Sequence, residues 1–248
     1  MTELEMILAI VILLTFLALL LVFITRVRAG HRPGLRYIPA FEAVKGFTGR
    51  AIEAGRTLHL GLGLGSVATQ TTADSLAGLL VLDYLAGQAA ATGVPPTVSM
   101  ADPTVMLVAK NVLRTAYQND PQGLERSYRN VRWIAPQPVA YAAGVMTLLS
   151  IDEVEANIMV GQFGDEYLLM GEVAARQKMS HVGGTSNPNT LPFIYVSAQE
   201  TLLGEEIYAS GAYLQRKPSQ IGSLLAQDTM RWLIALVILG GVLLATVR

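Results

Sequence analysis

The 248-residue chain contains no cysteine, which excludes disulfide bonds, thiolate metal sites and cysteine nucleophiles. Histidine occurs only three times, at positions too scattered to predict a histidine-rich metal centre. Charged residues make up 15% of the chain, against about 25% in an average soluble domain, and the formal net charge is −1. This composition gives no basic surface for nucleic acid, and the 52% hydrophobic content indicates membrane segments or surfaces that partners cover.

Long apolar runs stand near both ends of the chain. Residues 6–25 are uncharged and long enough to cross a bilayer as a helix. A cleaved signal peptide would need a positive flank, and Glu3 and Glu5 stand there instead. Residues 232–247 form a shorter run, which is either a second span with Trp232 at the interface or a buried core helix. We therefore expect transmembrane helices within segments 1–27 and 216–248.

Positive side chains stand at both ends of the segment that connects the two runs. They are Arg26, Arg28, Arg32 and Arg36 after the first run, and Arg216, Lys217 and Arg231 before the second. Positive charge next to a span favours the cytoplasmic side of the membrane. We therefore expect a two-pass protein in contact with lipid, with a cytoplasmic central domain and both termini outside.

Apolar, strand-like runs alternate with helical patterns in the central domain, residues 57–215. The predicted strands lie near 57–62, 96–100, 131–135, 156–161, 180–184 and 192–197. The predicted helices lie near 72–92, 103–118, 138–150, 165–178 and 201–214, after a juxtamembrane linker and amphipathic helix in 28–56. This alternation predicts an α/β fold: a Rossmann-like, doubly wound, mostly parallel sheet of about six strands, flanked by the two transmembrane helices.

A glycine-rich stretch, "GLGLGS", follows the first predicted strand at residues 61–66. A dinucleotide-binding loop reads G-x-G-x-x-G, whereas the glycines here are Gly61, Gly63 and Gly65, followed by Ser66. No lysine follows to complete a P-loop. Asp102 occupies the structural place of the acidic residue that binds a ribose hydroxyl, at the end of the second strand.

Two interpretations of this edge of the sheet remain open. In the first, the glycines, Ser66 and Asp102 bind a nucleotide or small anion, together with Gly161 and Gly164 of the loop "GQFGDE". In the second, the glycines form a tight turn and Asp102 caps the helix that begins at Pro103. Thr71 and Asp74 similarly fit a capping box for the preceding helix.

Candidate catalytic groups are few. His59 lies inside a predicted strand, where we expect a hydrogen-bonded core residue, while His181 adjoins a glycine-rich loop and is the better acid–base candidate. Glu205 and Glu206 would point about 100° apart on a helix, as on a solvated face. The sequence has no nucleophile elbow and no metal-ligand spacing, so we predict neither a catalytic set nor a metal site.

Charge is scarce on two predicted helices. Asp74 and Asp83 are the only charged residues in 57–101, and residues 135–151 have none. Because a helix at the surface of a monomer usually has a polar face, we expect other copies of the chain to cover these helices. The alternative is a solvent face built of Ala, Ser, Gly and Gln.

Several strings resemble an uncharacterised prokaryotic family of two-span membrane proteins that has only a domain-of-unknown-function label. They are "AGRTLHLGLG" (54–63), "ADPT" (101–104), "PVAYAAG" (138–144), "MVGQFGDE" (159–166), "LLGEEIYASGAYL" (202–214) and "AQDTMRW" (226–232). The resemblance implies that the pairing of membrane spans with an α/β domain is a recurring design, and it brings no activity or site residues. We expect the protein to lie in the prokaryotic plasma membrane.

Three hypotheses for the function follow. The leading one is a non-catalytic, self-associating membrane protein that forms a structural or organising homo-oligomeric complex. The second is a nucleotide- or small-anion-binding membrane sensor or enzyme that uses the loop at 61–66. The third is an accessory subunit of a larger membrane complex, in which foreign subunits cover the apolar faces.

Overall fold

The computed structural model describes residues 3–31 and 33–247, so Arg32, one of the predicted flanking cations, lies outside the described residues. The helices are α1 (Glu3–Arg28), α2 (Pro39–Ala54), α3 (Thr72–Thr92), α4 (Pro103–Ala116), α5 (Pro121–Arg129), α6 (Pro138–Ile151), α7 (Tyr167–Arg176), α8 (Leu191–Ser197), α9 (Ser210–Leu214) and α10 (Pro218–Val247). The strands are β1 (Thr57–Gly63), β2 (Thr97–Met100), β3 (Val131–Trp133), β4 (Val154–Gln162), β5 (Ser180–Thr185) and β6 (Glu200–Leu203), and Gly204–Ala209 is a 3-10 helix. The chain forms two compact units, one from its two ends and one from Tyr37–Gln215.

In the terminal unit, α1 and α10 pack against each other as an antiparallel pair. The close approach is at Gly222, near the start of α10, where an added Cβ would lie 2.9 Å from the backbone nitrogen of Ile24 near the end of α1. Both helices are long and apolar enough to cross a membrane. Among the described residues α3 also meets these criteria, but half of its apolar window is buried inside the protein.

The second unit is built on one six-stranded sheet in which every neighbouring pair of strands is parallel. The strand order is β3-β2-β1-β4-β5-β6, which is the order of doubly wound dinucleotide-binding folds. Leu60 of β1 pairs with Val98 of β2 and with Ile158 of β4, and all three side chains are fully buried. The predicted α/β fold with a parallel sheet is confirmed.

Helices cover both faces of the sheet. On one face α3 and α4 connect the first three strands, and α2 packs beside α3 and against β4. On the other face α6, α7 and α8 form one layer, which we call the α6–α8 layer. Tyr141 of α6, Tyr167 of α7 and Ile194 of α8 are fully buried in the apolar cluster between this layer and the sheet.

The predictions for residues 192–197 and 201–214 are wrong. The first segment, predicted as a strand, is helix α8, and Pro192 suits its first turn because that position needs no backbone N–H donor. The second, predicted as one helix, contains strand β6, the 3-10 helix and α9. Gly204 has φ +62° at the end of β6, a left-handed conformation that interrupts regular structure at this point.

Helix α5 is absent from the sequence prediction, although its start has a recognisable signal. Asp120 accepts a hydrogen bond from the backbone N–H of Gly123 at 2.9 Å, and Pro121 follows in the first turn. This is the same Asp-Pro pattern that predicts the start of α4.

Much of the charge-poor helix α3 is covered by the chain itself. Ten of its 21 residues are buried, because α4, α9 and the 3-10 helix of the same chain pack around it. Its charged Asp83 accepts a hydrogen bond from Gln215 Nε2 at 2.7 Å. The apolar character of α3 thus reflects burial within the monomer.

Candidate functional site

The predicted ligand site lies where the strand order reverses, at the carboxyl ends of β1 and β4. In doubly wound sheets this crevice is where ligands bind. Here Leu64 donates a backbone hydrogen bond to the carbonyl of Gln162 at 2.8 Å. Gly63 has φ +77°, and an added Cβ would lie 2.1 Å from that same carbonyl oxygen. The missing side chain of Gly63 therefore allows the two strand ends to meet.

The other glycines of the site also lie in close contact with other parts of the chain. An added Cβ at Gly161 would lie 2.2 Å from the carbonyl oxygen of Leu62, and one at Gly65 would lie 2.4 Å from Ser75 Oγ. At Gly61 the nearest atom would be the Met159 Cγ at 3.3 Å, which is a tight contact that a small shift of the Met159 side chain could relieve. Gly161 and Gly65 are therefore required by the packing of the loops, and Gly61 is required less strictly.

Ser66 is tied to the start of α3. Its backbone N–H donates to Thr71 Oγ1 at 3.0 Å, and its carbonyl accepts from Ser75 Oγ at 3.3 Å. The predicted capping box is wrong, since Thr71 makes no side-chain cap hydrogen bond. The hydroxyl of Thr71 binds the loop instead of the helix end.

Asp102 caps α4. Its carboxylate accepts hydrogen bonds from the backbone N–H groups of Thr104, at 2.7 Å, and Val105, at 3.2 Å, and from the Thr104 hydroxyl. Burial acts to raise the pKa of Asp102, but these hydrogen bonds outweigh it and hold the pKa below its ordinary value. Thr104 Oγ1 also lies 3.4 Å from the backbone nitrogen of Val67, which links α4 to the glycine-rich loop.

The loop after β4 is bound to the loop after β5. Gly164 donates its backbone N–H to Glu166 Oε1 at 2.8 Å. The carbonyl of Phe163 accepts from Asn187 Nδ2 and from Thr190 Oγ1, both at 2.8 Å. The structure thus brings Gly63, Gly65 and Gly161 together, while Gly164 faces the α7 side.

Asp74 is a buried carboxylate at this edge whose contacts the sequence does not reveal. It is 4% exposed and accepts from Ser186 Oγ at 2.8 Å and from the Tyr208 hydroxyl at 2.6 Å. Burial and the contact with Asp74 raise the pKa of Tyr208. The carboxylate lies in the first turn of α3, so its negative charge already complements the helix end that a bound phosphate would use.

A chain of polar groups is buried between the sheet and the α6–α8 layer. His59 Nδ1 donates to Asn157 Oδ1 at 2.6 Å, and His59 Nε2 accepts from the Ser99 hydroxyl at 2.8 Å. The Tyr141 hydroxyl lies 3.1 Å from Ser99 Oγ and accepts from the backbone N–H of Gly63 at 3.3 Å. The expectation that His59 is a hydrogen-bonded core residue is confirmed.

His181 continues this buried chain. Its Nδ1 donates to the carbonyl of Asn157 at 3.1 Å, so its Nε2 accepts from the Tyr167 hydroxyl at 2.7 Å. Burial lowers the pKa of both His59 and His181 from 6.5 to about 4 and raises the pKa of Tyr141 to about 12. His59, His181 and Tyr141 are therefore neutral at pH 7. His181, the acid–base candidate, is a buried residue of the core.

A cleft of about 530 Å³ lies on the opposite side of the domain from β6, between edge strand β3 and helix α6. Its lining includes the salt bridge between Arg132 and Asp152, whose closest nitrogen–oxygen distance is 3.0 Å, and the half-exposed indole of Trp133. This cleft has no signal in the sequence, because its residues lie in segments with the pattern of an ordinary strand and helix.

Among the described residues, no three His, Asp or Glu side chains are grouped to hold a metal ion. Comparison with curated proteins and with solved structures finds no match. One family, which carries no assigned function, matches the whole chain, residues 1–248. The chain therefore belongs to the family described as "Domain of unknown function (DUF6754)".

Proposed function

We propose that the chain is a non-catalytic membrane protein of the prokaryotic plasma membrane whose α/β domain self-associates into a structural or organising complex. The observation that carries this proposal is the exposed apolar surface of the α6–α8 layer. Val139 of α6 is 70% exposed, and Tyr195 and Val196 of α8 are 74% and 81% exposed. Leu168 and Leu169 of α7 are also exposed. Such a surface marks an interaction site.

The charge of this layer favours a second copy of the same chain as the partner. Helices α6 and α8 contain no charged residue. The charged side chains of α7 are Glu172 and Arg176, which pair with each other at 2.7 Å. A surface without net charge can meet its own copy across a two-fold axis without repulsion, as an isologous dimer requires.

Two further observations support this function over ligand binding. The space beside the glycines of the loop is filled by other atoms of the same chain, and Asp102 and the loop already form hydrogen bonds within the chain. The apolar helices α1 and α10 suit two membrane spans, and the positive flanks favour a cytoplasmic domain with both termini outside. Two spans would confine the copies to one plane and raise their effective concentration.

The test is native mass spectrometry of the full chain in mild detergent. We expect a defined homo-multimer for the wild type and dissociation in the double variant Val139→Asp, Val196→Asp, because each new carboxylate would be buried at the contact. Leu107→Asp is the matched control, since Leu107 is 66% exposed on α4 in the opposite layer. Thermal unfolding of each variant verifies that it is folded.

Three results would contradict the proposal. A wild-type protein that is monomeric at micromolar concentration would remove self-association. Stoichiometric foreign subunits in the native complex would favour an accessory subunit of a larger assembly. A bound small molecule that is lost in Gly63→Val would favour the nucleotide- or anion-binding hypothesis.

A further inference from the structure

The cleft between β3 and α6 has the size and walls of a small-molecule site. Its volume of about 530 Å³ lies within the usual range of roughly 300–1,000 Å³ for ligand pockets. Ile134, Leu148 and Ile151 supply an apolar wall. Gly144 of α6 allows that wall to form, since an added Cβ would lie 2.2 Å from Ile134 Cγ2. We call this site the edge cleft.

Trp133 of β3 is one of the residues that line the edge cleft. Its side chain is at the surface, with 49% of the residue exposed. The indole is nevertheless held in place, because Nε1 donates to the carbonyl of Ala101 at 2.9 Å. Because side chains alternate along a strand, the indole lies on the opposite face of β3 from Arg132 and serves here as a nearby fluorescent reporter.

Arg132 and Asp152 place opposite charges side by side in the same cleft. Their side chains are 44% and 23% exposed, so the ion pair contributes little to stability. Asp152 is also the C-cap residue of α6, where a negative charge opposes the helix dipole. One contact between the two groups leaves further donors on the guanidinium and further acceptor positions on the carboxylate.

We propose that the edge cleft binds a zwitterionic α-amino acid with an apolar side chain. The ligand carboxylate binds Arg132 and the ligand ammonium binds Asp152, so that each charge of the ligand meets its opposite. The ligand side chain packs against the apolar wall of Ile134, Leu148 and Ile151. A simple anion or cation would satisfy one of the two groups and be repelled by the other. This site is independent of the proposed self-association.

The experiment uses the full chain in detergent with Trp232→Phe, which leaves Trp133 as the single indole because the sequence has two tryptophans. L-Leucine is titrated in, and binding is followed by calorimetry and by indole emission. N-acetyl-L-leucine lacks the ammonium charge, and L-leucinamide lacks the carboxylate. We expect saturable binding of leucine and at least about tenfold weaker binding of both analogues, since each loses one ion pair.

Two variants test whether Arg132 and Asp152 bind the two charges of the ligand. Arg132→Gln and Asp152→Asn should each weaken leucine binding at least about tenfold while the protein remains folded in a thermal melt. Arg56→Gln is the control, because Arg56 forms a comparable surface pair with Glu155 at 3.6 Å outside the cleft.

Several outcomes would overturn the proposal. One is the absence of saturable binding in both readouts up to about 10 mM leucine, a concentration above any useful affinity. Equal binding of leucine and its two analogues would show that the cleft binds apolar groups without recognising the ammonium and carboxylate charges of the ligand. Unchanged leucine affinity in folded Arg132→Gln or Asp152→Asn would show that the ligand binds elsewhere.

Discussion

Lowering the pH should destabilise the α/β domain through His59 and His181. Burial lowers the pKa of both side chains from 6.5 to about 4, so the folded protein keeps them neutral. The unfolded chain, in contrast, protonates them as the pH falls through about 6.5. Their contribution to stability is therefore complete above that pH and is progressively lost as the pH falls towards 4.

The size of the effect follows from these pKa values. Between pH 7.5 and pH 5, linkage gives a loss of about 2 kcal/mol for each histidine, or about 4 kcal/mol if the two titrate independently. This loss is large beside the roughly 5–15 kcal/mol that stabilises a typical domain. The domain should consequently unfold at a clearly lower urea concentration at pH 5.

Urea unfolding of the full chain in micelles measures this loss, with Trp133 emission as the reporter in a Trp232→Phe background. The double variant His59→Gln, His181→Gln should lose most of the pH dependence, whatever its absolute stability. His31→Gln is the control, because His31 is exposed and lies outside the α/β unit. A wild-type loss below about 1 kcal/mol, or an undiminished loss in the double variant, would show that the two histidines are not the source of the pH dependence.

Three further predictions test the packing. Asp102→Ala should cost about 1 kcal/mol in urea unfolding, because two backbone N–H groups of α4 lose their cap. Gly63→Ala should cost at least about 2 kcal/mol, since its Cβ would meet a backbone carbonyl at 2.1 Å, whereas Gly61→Ala should cost less because its contacts begin at 3.3 Å. Gly222→Leu should abolish cross-linking between cysteines introduced on α1 and α10, while Gly241→Leu should not, because nothing lies within 4 Å of a Cβ at Gly241.

Much of the architecture could be predicted from the sequence because parallel strands are buried on both faces. Strands β1 and β4 are therefore rich in apolar residues between turn residues, and the helical segments show longer patterns. The wrong prediction at α8 arises because local sequence preference disagrees with the fold. Its sequence "PFIYVS" is rich in residues that favour strands, and only the pairing of β6 with β5 determines which segment joins the sheet.

The candidate site was harder to predict because its chemistry depends on distant residues. The role of Gly63 is apparent only beside the carbonyl of Gln162, on another strand. Asp74 is paired with Ser186 and Tyr208, more than 100 positions along the chain. The small number of charged residues in α3 does not tell what covers the helix, because burial by the same chain and burial by a partner give the same sequence pattern.

The most direct test of self-association is cysteine cross-linking in native membranes. The chain has no cysteine of its own, so Val196→Cys introduces a single thiol on the exposed face of α8. We expect mild oxidation to convert this variant to a covalent dimer, while Leu107→Cys on the opposite layer stays monomeric. Equal cross-linking of the two variants, or no dimer from either, would contradict a specific contact through the α6–α8 layer.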